Sequence, residues 1–98
     1  MKENDRCVYV REYSEIPGLQ KAGNIRYEVC GDTGVYHFRV MRRPGGKIAV
    51  FRLAGASREQ AHNLLLFLYE NSVEPELAAA VVQDCVEQEA AVLPETAE

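Results

Sequence analysis

Apolar positions recur with a period of two through the first half of the chain and with a helical period after residue 57. Ile25, Tyr27 and Val29 alternate with Arg26, Glu28 and Cys30, and Tyr36, Phe38 and Val40 alternate with His37, Arg39 and Met41. That is the pattern of strands with one buried and one open face. Gly31-Asp32-Thr33-Gly34 separates the two runs with turn residues. Arg43-Pro44-Gly45-Gly46-Lys47 supplies a second turn, with Pro at its entry and Gly where φ must be positive. Lys47 to Leu53 then reads as a third strand whose register is open. Either Ile48 and Val50 face the core with Arg52, or Ala49, Phe51 and Leu53 do.

Ser57-Arg58-Glu59-Gln60 has the form of a capping box, in which the Ser hydroxyl accepts from the Gln60 amide and the Gln side chain accepts from the Ser amide. Behind it Ala61, Leu64, Leu65 and Leu68 form a stripe at i, i+3, i+4 and i+7, widened by Phe67. The helix is expected to stop near Asn71-Ser72. Glu74-Pro75 then opens a second helix, because Pro is suited to the first helical turn. Leu77, Val81, Val82, Cys85 and Val86 are its expected buried face.

The ends of the chain carry weaker patterns. Residues 1–23 form an N-terminal extension in which 7–12 can add a fourth strand at the sheet edge, followed by a loop through Ile16-Pro17-Gly18-Leu19. Residues 89–98 hold Pro94 and three glutamates, the composition of an acidic, disordered tail. Residues 24–88 are left as one α+β domain: a three-stranded antiparallel meander, with the N-terminal edge strand as a fourth, packed against two C-terminal helices. Such an order buries itself with both helices on one sheet face. The other face is left to solvent or to a partner.

Ala56-Ser57-Arg58-Glu59-Gln60, Leu64 to Phe67, Asn71-Ser72-Val73-Glu74-Pro75, Leu77 and Val81-Val82-Gln83-Asp84 resemble a family of small clostridial (Firmicute) proteins of unknown function. The hairpin from Tyr36 to Leu53 fits the same layout, and the resemblance covers roughly residues 34–87. It implies an intracellular bacterial α+β protein and carries over no catalytic residue. Residues 1–23 depart from the family's compact pattern.

Composition narrows the class. Ninety-eight residues with 47% hydrophobic and 27% charged positions suit one soluble domain. A chain of this size buries roughly 60–65% of its unfolded surface, enough for a two-layer core. The charged start, Met1-Lys2-Glu3-Asn4-Asp5-Arg6, lacks a secretory signal's apolar segment, and the expected location is cytoplasmic. Cys7, Cys30 and Cys85 stand at wide spacings without CxxC or Cys/His ligand pairs. They read as reduced thiols, and neither a metal nor a cofactor is expected.

Charge is sorted along the chain. From Lys21 to Arg58 there are eight basic residues and two acidic ones, whereas Glu59 to Glu98 holds nine acidic residues and no Lys or Arg. The net charge of −4 therefore hides a dipolar molecule built to meet a charged partner or a copy of itself. Arg39, Met41 and Arg43 share one strand face, and Arg26 joins them from the neighbouring strand. Glu70, Glu74 and Glu76 mark an acidic helical side. These seven are the candidate partner-binding residues, with Phe51 a further candidate for the open face.

The expected function is that of a non-enzymatic protein-binding or regulatory module. It would bind a protein partner or form a homodimer, one copy's basic sheet against the other's acidic helices. A sharper version is a mobile-element inhibitor of a bacterial defence protein, acting through the acidic surface. A different class, nucleic-acid binding through the basic sheet, is opposed by the pI of about 5.2 and by Tyr36 and Phe38 falling on the other face. For an enzyme the available pair is Cys30 with His37 across the first hairpin, with His62 beside the helical stripe. Gly45-Gly46 lacks the helix start and Lys-Ser/Thr of a phosphate loop.

Overall fold

The computed structural model describes residues 6–18, 22–32, 34–86 and 91–94. The elements run β1 (Arg6–Tyr13), β2 (Gly23–Asp32), β3 (Val35–Arg43), β4 (Lys47–Ala54), α1 (Arg58–Glu70), α2 (Pro75–Cys85) and β5 (Ala91–Pro94). The strands form one antiparallel sheet in the order β1-β2-β3-β4-β5, with chain order and sheet order identical. Both helices lie on the same sheet face: α1 over β1 and β2, and α2 over β4 and its neighbours.

Period-two patterning sets which residues meet the helices. Ile25, Tyr27 and Val29 of β2, Tyr36, Phe38 and Val40 of β3, and Phe51 and Leu53 of β4 are buried against Ala61, Leu65 and Leu68 of α1 and Ala78 and Val82 of α2. The register of β4 is thereby settled in favour of Ala49, Phe51 and Leu53. Phe51 pairs with Phe38 across the strands, its ring stacked at 5.1 Å. It is 2% exposed and belongs to the core, which removes it from the open face.

The cap of α1 forms as its sequence predicts. Gln60 N donates to Ser57 Oγ at 3.1 Å, and Ser57 N donates to Gln60 Oε1 at 2.8 Å. At the other end Asn71 is the C-cap and Ser72 takes a left-handed φ of 52°. Val73 N donates to the Leu68 carbonyl and Ser72 N to that of Tyr69, the bonding of a Schellman stop.

Three expectations give way. Within the tail expected to be disordered, Ala91–Pro94 pair with Phe51–Ala54 as β5. Its proline sits at the strand's last position on the sheet edge, where a missing N–H is tolerated. Residues 89, 90 and 95–98 of that tail lie outside those described. Phe67 does not widen the α1 stripe; it is 43% exposed. The buried side of α2 is Pro75, Ala78 and Val82, whereas Leu77 is 56% exposed and Cys85 also faces outward. The short side chain of Ala78 gives α2 a close approach to the sheet, which a face centred on Leu77 would not.

Candidate functional site

The sheet face turned away from the helices is built from rows set by strand register. Val10, Arg26, Met41 and Ile48 form one row, and Val8, Glu28, Arg39 and Val50 the next. Arg6, Cys30, His37, Arg52 and Leu93 form a third, and Glu12, Asn24 and Arg43 a fourth. Aliphatic side chains thus flank an arginine-rich centre. Val8, Val10, Ile48, Val50 and Leu93 are all exposed.

The carboxylate of Glu28 is shared. Its Oε2 accepts from Arg6 Nη2 at 3.1 Å and lies 2.9 Å from Arg26 Nη2. Arg39 and Arg43 are exposed and make no ion pair among the described residues. The face therefore carries a surplus of guanidinium charge, with forked donors suited to carboxylates.

Of the seven residues read from the sequence, Arg26, Arg39, Met41 and Arg43 share this face. Arg26, Met41 and Arg43 line one hollow together with Val10 and Asn24. Arg39 lines a second with Arg6, Glu28, Cys30, His37 and Val50. Glu70, Glu74 and Glu76 belong to the helical layer. Glu70 is exposed at the end of α1. Glu74 pairs with Arg42, and Glu76 accepts from Lys47 Nζ at 2.7 Å. Arg42 and Lys47 are register partners at the end of the β3–β4 hairpin, so this acidic pair straps the start of α2 to the sheet.

Cys30 and His37 stand directly opposite each other on the open face, between Arg6 and Arg52. His62 is half-buried on α1, its Nε2 enclosed without a hydrogen-bond partner among the described residues. Among the described residues no group of three or more His, Cys, Asp or Glu gathers as a metal-binding set. None of the described helices is long and apolar enough to cross a membrane.

The sequence reading missed the aliphatic flanks. Val8 and Val10 alternate with Cys7, Tyr9, Arg11 and Tyr13, and apolarity alone assigns the valines to the core. The reverse holds because Tyr9 stacks on Tyr69 at 5.0 Å and Arg11 Nε donates to the Tyr69 carbonyl at 3.1 Å. The signal available was Arg6-x-Val8-x-Val10-x-Glu12, an alternation with polar ends. Known protein families, curated proteins and solved structures were all compared with this chain, and none matches it.

Proposed function

We propose that this chain is a non-enzymatic binding module whose open sheet face docks an acidic protein surface. The observation that carries the reading is the composition of that face among the described side chains: Arg6, Arg26, Arg39, Arg43 and Arg52 against Glu12 and Glu28, bordered by exposed aliphatic side chains. Arginine and methionine beside apolar patches are what protein interfaces favour. Single-stranded nucleic acid is favoured less, because stacking needs aromatic faces and Tyr9, Tyr27, Tyr36, Phe38 and Phe51 all point toward the helices.

Affinity capture with the wild-type chain and with the Arg39→Glu/Arg43→Glu variant tests the reading. Proteins held by the wild type and released by the variant are expected, the variant keeping its far-ultraviolet spectrum. Identical retention would remove the sheet face from consideration. Fluorescence anisotropy with oligonucleotides over a salt series is the companion measurement. Binding that weakens steeply with salt would assign the arginines to phosphates instead.

A further inference from the structure

The two edges of this sheet are finished differently. At one side β5 is four residues long and ends in Pro94, and the stretch of β4 beyond it begins with Lys47. A short strand, a proline and a lysine are the usual means of stopping strand addition. At the other side β1 runs eight residues, RCVYVREY, and pairs with β2 at eight consecutive positions without a bulge. It contains no proline, glycine or lysine. Its outer row of N–H and C=O groups has no strand partner among the described residues.

The side chains of β1 are also arranged symmetrically about Tyr9. On the open face the order is Arg6, Val8, Val10, Glu12, all four exposed. Turn this strand by 180° and lay it antiparallel beside itself with Tyr9 on the axis. Arg6 then faces Glu12, Val8 faces Val10, and each contact occurs twice. On the other face Tyr9 meets Tyr9 of the second copy, and Cys7 meets Arg11. The Arg11 guanidinium is already held by the Tyr69 carbonyl and lies over the Tyr69 ring at 5.0 Å from its centre.

We propose that the partner of β1 is a second copy of this chain, paired edge to edge in the register that sets Arg6 opposite Glu12 and Val8 opposite Val10. Three properties support one occupant: a backbone row without a strand partner among the described residues, charge that complements itself at both ends, and apolar side chains that complement themselves between. A shift by two residues would leave both charged ends without a counterpart. Pairing in this way joins two five-stranded sheets into one and extends the open face across the seam.

The seam is the β1 edge, which borders the Arg39 and Arg43 hollows through Arg6 and Val10. Because its test reads self-association alone and the docking test uses Arg39→Glu/Arg43→Glu, failure of either reading is told apart from failure of the other. The test is sedimentation of the full chain with charge-reversal variants. The wild type is expected to show a concentration-dependent dimer. Arg6→Glu and Glu12→Arg each place like charges at both ends of the seam, and each should weaken dimerisation by on the order of tenfold. Mixing the two single variants should restore the dimer as a heterodimer, since opposite charges then face each other at both ends. The double variant Arg6→Glu/Glu12→Arg should dimerise with itself. Arg6→Glu also faces Glu28 within its own chain, so recovery on mixing separates a broken seam from a misfolded monomer. A wild type that stays monomeric at every concentration, a dimer indifferent to both reversals, or a mixture that stays monomeric would each overturn the proposal.

Discussion

Arg11 closes the C-terminal end of α1 from outside the helix: its Nε donates to the Tyr69 carbonyl at 3.1 Å while its guanidinium carbon sits 5.0 Å from the centre of the Tyr69 ring. The last turn of α1 contains no basic residue of its own. A cation from β1 therefore meets the partial negative charge of the helix end and ties the edge strand to the helical layer. Arg11→Met keeps the length and removes both interactions. It should cost about 1–2 kcal/mol in denaturant unfolding. Arg11→Lys should recover part of that loss, and a Met variant as stable as wild type would leave Tyr69 stacking as the tether of β1.

Leu65 and Leu68 are fully buried between α1 and the sheet. Truncating either to Ala should destabilise by about 2–5 kcal/mol through lost burial and the cavity left behind. Leu77→Ala on α2 is the control, because that side chain is largely exposed and its loss should stay within about 0.5 kcal/mol. Chemical denaturation of the three variants checks the phase of both helices at once.

Two backbone positions have opposite requirements. A Cβ on Gly23 would stand 2.3 Å from the Arg43 carbonyl oxygen and 2.8 Å from Pro44 Cδ, where β2 meets the end of β3. Gly23→Ala should therefore destabilise by about 1–3 kcal/mol as the strands are forced apart. Ser72 holds a left-handed φ of 52° at the helix stop, a conformation glycine adopts without a steric cost. Ser72→Gly should stabilise by about 0.5–1 kcal/mol. Thermal melts should move in opposite directions for the two substitutions.

Stability should fall at both extremes of pH. The hydrogen bond between Lys47 and Glu76 lowers Glu76 from its ordinary 4.5 and raises Lys47 from its ordinary 10.5. Their contribution is complete between those values. It is lost as pH falls through the lowered Glu76 value or rises through the raised Lys47 value. Both side chains are largely open to solvent, so the slopes are shallow. Tyr27 adds a second alkaline effect: chiefly through burial, its phenol is pushed up to about 12, and it donates to the Val73 carbonyl at 3.0 Å. The neutral phenol's advantage is whole below its ordinary 10.0 and disappears as pH climbs through about 12. Absorbance titration should show two tyrosines ionising late, Tyr9, raised chiefly by its hydrogen bond with Cys7, and Tyr27 at about 12, and Tyr27→Phe should flatten the alkaline loss.

The central strands and the first helix were legible because their patterns are unambiguous. Ile25, Tyr27 and Val29 alternate with polar residues, and Ser57 to Gln60 specify a cap by local hydrogen bonding alone. Where both faces of an element are apolar, pattern stops deciding. β4 offers Ile48 and Val50 on one side and Ala49, Phe51 and Leu53 on the other, and only the stacking of Phe51 on Phe38 selects between them. In α2 the larger side chain, Leu77, looked like the core residue, but the space under the helix admits Ala78. In β5 the proline and neighbouring acids hid a strand whose pairing partner lies on the far side of both helices in sequence. Of the candidate interface, the arginines could be read from charge. The aliphatic border could not, since valines of β1 point outward only because tyrosines and Arg11 are drawn to the helix.

Identity of chain order and sheet order has a kinetic consequence. The pairings of β2 with β3 and of β3 with β4 each close a tight turn, so these three strands can zip together through local encounters. The pairing of Ala54 with Ala91 must wait for α1 and α2 to be laid down between them. The centre of the sheet should therefore form first, and β5 should join last and open first. In amide exchange its protons should be released well before those of β3.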